Sequence, residues 1–104
     1  MNNKHSEFEV QALAYTNLKK FFPIVRGEYK IKGARLDIAI FDSEKKLRCV
    51  VEVKKSTKGT STSQGERYTA LTGVPVLYIR GMDDAYHIMD KIYPFLKEHG
   101  IFIK

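Results

Sequence analysis

Near the middle of the chain, Arg35-Leu36-Asp37-Ile38-Ala39-Ile40 and Cys49-Val50-Val51-Glu52-Val53-Lys54 are joined by the polar link Asp42-Ser43-Glu44-Lys45-Lys46. Side chains in a strand alternate between faces, so Leu36, Ile38 and Ile40 are expected on one face, with Cys49, Val51 and Val53 beside them. The link is short and polar, as a hairpin requires. Ala39, Phe41 and Val50 put further apolar groups on the opposite face. A hairpin apolar on both faces needs cover on both, and this constrains the chain to a sheet with packed layers.

The same alternation gives Glu52 and Lys54 a common face, and the hairpin brings Asp37 within reach of Glu52. Glu-x-Lys alone is common and usually lies on a solvated face. Here the strands are apolar on both sides, so the charges sit at the rim of a covered surface, where burial is costly unless they are paired or bound to a metal. Two close carboxylates repel unless a cation lies between them, and hard oxygen donors suit magnesium or manganese.

Upstream, Val10, Leu13, Ala14, Leu18, Phe21 and Phe22 recur at helical spacing until Pro23, and Ser6 with Glu9 forms a capping-box signature. At 100° per residue, the stripe through Val10, Ala14, Leu18 and Phe21 is centred on the direction of Glu7, with Glu9 nearly opposite. Gln11 falls on the same stripe. Val25 to Ile31 reads as a first strand containing Glu28, and Gly33-Ala34 as a tight connection. Lys55 to Ser63 is a polar stretch whose Lys55 and Lys58 are candidate phosphate contacts. Gln64 to Leu71 reads as a short helix capped by Ser63 and ended by Gly73, and Val74 to Ile79 as a strand parallel to its neighbour after a helical crossover. A helix from about Ala85 to Glu98 follows, with Pro94 expected to kink or split it. Gly100 ends that helix, and Ile101-Phe102-Ile103 is expected to pack as an extra strand or against a partner. His5, His87 and His99 lack metal-pair spacing.

An acidic residue on one strand followed by Glu-x-Lys at the end of the next resembles the PD-(D/E)XK nuclease superfamily, in its resolvase-like or RecB-like branches. Leu36 stands where the superfamily's name has proline. The order of elements is also similar, and the resemblance implies an α/β restriction-endonuclease-like core, α-β-β-β-α-β-α, with a mixed sheet flanked by helices. It implies that Asp37, Glu52, Glu7 and the carbonyl of Val53 hold one or two Mg2+ (or Mn2+) ions, with Glu9 as the fallback for Glu7. Lys54 would position or deprotonate the attacking water. Gln64 and Tyr68 match a glutamine and aromatic near the site in many members, and Arg67 is a candidate phosphate contact.

With 104 residues and 43% hydrophobic content, the chain reads as a single domain, 1–104. No run is long enough for a membrane span, and the start is polar, so a cytoplasmic protein is expected. The single cysteine, Cys49, excludes an intrachain disulfide and fits a reducing compartment. A formal charge of +6 is compatible with a polyanionic partner. The expected function is metal-dependent endonucleolytic hydrolysis of DNA by a homodimer. The alternatives are a nuclease-fold module that binds nucleic acid or protein without cutting, and a subunit of a restriction or repair system.

Overall fold

The computed structural model describes residues 6–54 and 69–103. In order they form α1 (Glu7–Lys19), β1 (Ile24–Ile31), β2 (Ala34–Phe41) and β3 (Leu47–Lys54), followed by α2, described over 69–72, β4 (Val76–Arg80), α3 (Gly81–Tyr86) and α4 (Ile88–Glu98). The four strands make one mixed sheet in the order β1-β2-β3-β4, antiparallel except for the parallel β3–β4 pair. The chain is therefore α/β, with the expected hairpins and parallel crossover. Among the described residues no helix is long and apolar enough to cross a membrane.

Local chemistry sets the element ends. Ser6 Oγ accepts from Glu9 N–H at 3.1 Å while Glu9 Oε1 accepts from Ser6 N–H at 2.9 Å, the reciprocal capping box that starts α1. Lys32 and Gly33 both have positive φ, 47° and 80°, as a two-residue hairpin turn between β1 and β2 requires. In the β2–β3 link, Asp42 Oδ1 accepts from the N–H groups of Glu44 and Lys46, and Lys45 takes φ 68°. Gly73, at φ 75°, donates to Thr69 O at 2.7 Å and ends α2 as its position predicts.

The larger core lies between the sheet and helices α1, α3 and α4. It gathers Val10, Ala14 and Leu18 with Ile38, Ile40, Cys49, Val51, Val53 and Ile79, and Ala85, Ile88, Ile92 and Leu96 complete it. The smaller cluster, on the other face, is built on Leu36, Ala39, Phe41 and Val50.

Three expectations need correction. Leu36 does not share a face with Ile38 and Ile40; it belongs to the smaller cluster, because the hairpin changes face between the pairs Gly27↔Ile38 and Tyr29↔Leu36. Phe21 is 58% exposed and Phe22 is buried instead, since α1 ends at Lys19 and the helical phase stops with it. The C-terminal helix divides at His87, φ −102° and ψ 30°, rather than at Pro94. Pro94 is exposed within α4, so the carbonyl it deprives of an N–H partner, that of Asp90, can be hydrated. The break at His87 lets Ala85, Ile88, Ile92 and Leu96 all reach the core.

The tail does not form a further strand. Gly100 takes φ 67° and donates to Lys97 O at 3.1 Å, while Ile101 N–H donates to Leu96 O at 2.8 Å. This is a Schellman ending, which turns Ile101 and Ile103 back onto the core and leaves Phe102 exposed.

Candidate active site

The β2–β3 ladder stops at Ile38↔Val51, although β1–β2 continues to Ile31↔Ala34 and β3–β4 to Lys54↔Arg80. The sheet therefore forks into two ribbons. Asp37 and Glu52, the next facing positions, stand where the fork opens. In place of a backbone pair, Asp37 N–H donates to Glu52 Oε2 and Val53 N–H donates to Asp37 Oδ2, each at 2.8 Å. The two carboxylates thus satisfy backbone N–H groups at the point where the β2–β3 ladder has stopped. Among the described residues no backbone group donates to the second oxygen of either carboxylate.

The opposite edge of β2 is interrupted at the same level. Glu28, facing Asp37 by register count, has φ 50° and makes no ladder pair between Gly27↔Ile38 and Tyr29↔Leu36. A positive φ at a non-glycine residue is uncommon and costs of order 1 kcal/mol or more. Asp37 consequently sits at a break on both of its sides.

Among the described residues Glu52 is the buried charged side chain, at 6% exposure. Burial pushes its carboxyl up from the ordinary 4.5 to about 8; the negative charge of Asp37 and a proton shared between the two carboxyls raise it further, opposed by the Asp37 N–H and the nearby Lys54 charge. Lys54 is half-buried, and its Nζ lies over the Tyr78 ring, 4.6 Å from the centroid. Tyr78 is the direct β4 neighbour of Glu52, and Arg80 that of Lys54. The ring holds the ammonium beside the carboxylate through a cation–π contact.

The structure brings Asp37, Glu52, Val53 and Lys54 together at the fork. Glu7 is exposed on the first turn of α1, and among the described residues no group of three or more His, Cys, Asp or Glu side chains is arranged to hold a metal ion. Lys55, Lys58, Gln64, Arg67 and Tyr68 lie outside the described residues. Sequence reasoning missed Tyr78, whose signal was present: a tyrosine inside an apolar run expected to form a strand parallel to its neighbour. Cys49 is fully buried, and burial drives its thiol up to about 12, which leaves it inert as a nucleophile at neutral pH. No known protein family, curated protein or solved structure matched the chain.

Proposed function

We infer that the chain is a metal-dependent nuclease of the PD-(D/E)XK type, with a restriction-endonuclease-like fold, hydrolysing DNA phosphodiester bonds. The observation that carries this reading is the reciprocal lock between Asp37 and Glu52 at the mouth of the fork. It fixes two carboxylates side by side, in a place where the Glu52 charge is costly to bury. Hard oxygen donors, close negative charge and partial burial fit a divalent cation such as Mg2+ or Mn2+. The element order and the parallel β3–β4 pair support the same reading.

Asp37, Glu52 and the Val53 carbonyl would hold the cation, with Glu7 as the candidate to complete the set. Such an ion supplies an activated water and charge stabilisation at the phosphate. The backbone N–H groups of Asp37 and Val53 orient the two carboxylates, so their alignment does not have to be reached anew at each turnover. Lys54, steadied by Tyr78, orients the attacking water and offsets negative charge developing on the phosphate.

The test is cleavage of supercoiled, linear, branched and single-stranded DNA with magnesium, manganese, calcium or chelator. Cutting is expected in magnesium or manganese, with Asp37→Asn and Glu52→Gln inactive but folded and Lys54→Ala slowed by about 100-fold or more. A folded Asp37→Asn protein cutting at the wild-type rate would overturn the assignment. Binding without cutting in every metal would leave the non-cleaving module.

A further inference from the structure

Beyond the fork, β1 and β2 run on as a two-stranded arm from Tyr29 to Leu36, with no β3 partner. Three of its residues are basic, Lys30, Lys32 and Arg35, and none is acidic. All three are exposed. Lys30 and Arg35 are direct cross-strand partners, so two like charges face one another across the ladder. Such a pairing destabilises a hairpin, and among the described residues neither side chain has an ion-pair partner to offset it. On the other ribbon, Lys54 is in register with Arg80.

We propose that the β1–β2 arm is a DNA-backbone clamp: Lys30 and Arg35 hold phosphates next to the one placed at Asp37 and Glu52, without reading the bases. This rests on the reading of the fork as a DNA-hydrolysing site. Arg35 is two residues from Asp37, roughly 6.6 Å along the strand. A charge at Arg35 thus falls within reach of a phosphate near the one at the carboxylates. The positive ammonium and guanidinium groups then gain a polyanionic partner.

The experiment uses the full chain carrying Glu52→Gln, to prevent cutting, and follows fluorescence anisotropy of a labelled 20-base-pair duplex in EDTA across a salt series. The double variant Lys30→Gln/Arg35→Gln is compared with Lys45→Gln/Lys46→Gln, which removes the same charge from the turn at the opposite end of β2. The arm variant should bind at least about tenfold more weakly at low salt, and its log–log salt slope should shrink by up to about 1.8, at 0.9 per lost phosphate contact. The turn variant should stay within about twofold of the Glu52→Gln parent. Because the arm residues are exposed and like-charged, the arm variant should melt no lower than the parent.

Equal losses in both variants would show that net charge alone is felt, and would overturn the clamp; so would an unchanged arm variant or a parent that binds no DNA. Cleavage by the wild-type chain in magnesium separates the two readings. Loss of binding in the arm variant without any wild-type cleavage leaves the clamp standing and removes the nuclease. Cleavage with an arm that is dispensable for binding does the reverse.

Discussion

Glu52 is where a local electrostatic cost is largest, and its sign can be followed with pH. Its carboxyl titrates at about 8 in the folded chain and near its ordinary 4.5 when unfolded. Between those values the folded state keeps a proton that the unfolded chain has released, so unfolding loses a proton and stability falls as pH rises. The contribution is fully present below about 4.5 and gone above about 8. Glu52→Gln keeps an oxygen to accept from Asp37 N–H and has no charge to bury. In the metal-free protein it should flatten the decline in melting temperature between pH 5 and pH 8. At pH 8 it should melt higher than wild type by at least about 1 kcal/mol of stability, or roughly 4–8 °C for a domain of this size. Thermal melts in chelator across that range check this, and a wild-type curve parallel to that of the variant would show that burial of the charge is not felt. The Asp37 and Glu52 pair itself was legible in the sequence, because period-2 alternation and a short link suffice to place facing residues. The lock between them was not, since it depends on where the ladder stops, and nothing in an alternating pattern marks that point. Glu28 illustrates the reason: glycine normally signals a positive φ, and here a glutamate adopts it.

At the scale of elements, α1 carries two glutamates in its first turn, Glu7 and Glu9. Val10, Ala14 and Leu18 are buried as the stripe predicts, and Glu9 is engaged in the capping box with Ser6. Gln11 and Tyr15 lie over Gly27 of β1, where an added Cβ would stand 3.9 Å from Gln11 Nε2 and 3.8 Å from the Tyr15 ring. Glu7 lies one turn before Gln11 on the same helix. Glu7→Gln should lower metal affinity or turnover by at least about tenfold, equivalent to roughly 1.4 kcal/mol, with little change in melting. Glu9→Gln should leave turnover near wild type because glutamine can serve in a capping box, whereas Glu9→Ala should cost about 1 kcal/mol of stability. Isothermal titration with manganese and chemical melts distinguish these outcomes; the reverse pattern would assign Glu9 to the metal. Helix boundaries were less legible than helix faces. His87 interrupts the C-terminal helix without a proline or glycine to announce it, while Pro94 stays inside α4 because its consequence falls on the solvent side.

For the whole molecule, the consequential fact is that each chain has one fork with one Asp37 and Glu52 pair. The order of elements, the mixed sheet and the cover on both faces could be read from the sequence because each rests on periodicity and turn chemistry. How the two ribbons part beyond Ile38↔Val51 could not, as it depends on the packing of both hairpins at once. A single site that hydrolyses one phosphodiester nicks a duplex, and a double-strand break then needs either a second encounter or a second copy acting together with the first. A homodimer presents two such sites related by symmetry. With supercoiled circular DNA in magnesium, low protein concentration should therefore give nicked circles before any linear product. As protein concentration rises, the initial ratio of linear to nicked product should climb, because dimer formation is second order in chain. Gel analysis of early time points over a hundredfold protein range checks this, alongside light scattering over the same range. A constant ratio with a monomeric mass throughout would mean that each copy acts alone. A constant high ratio with a dimeric mass throughout would mean that the two forks are already joined at the lowest concentration.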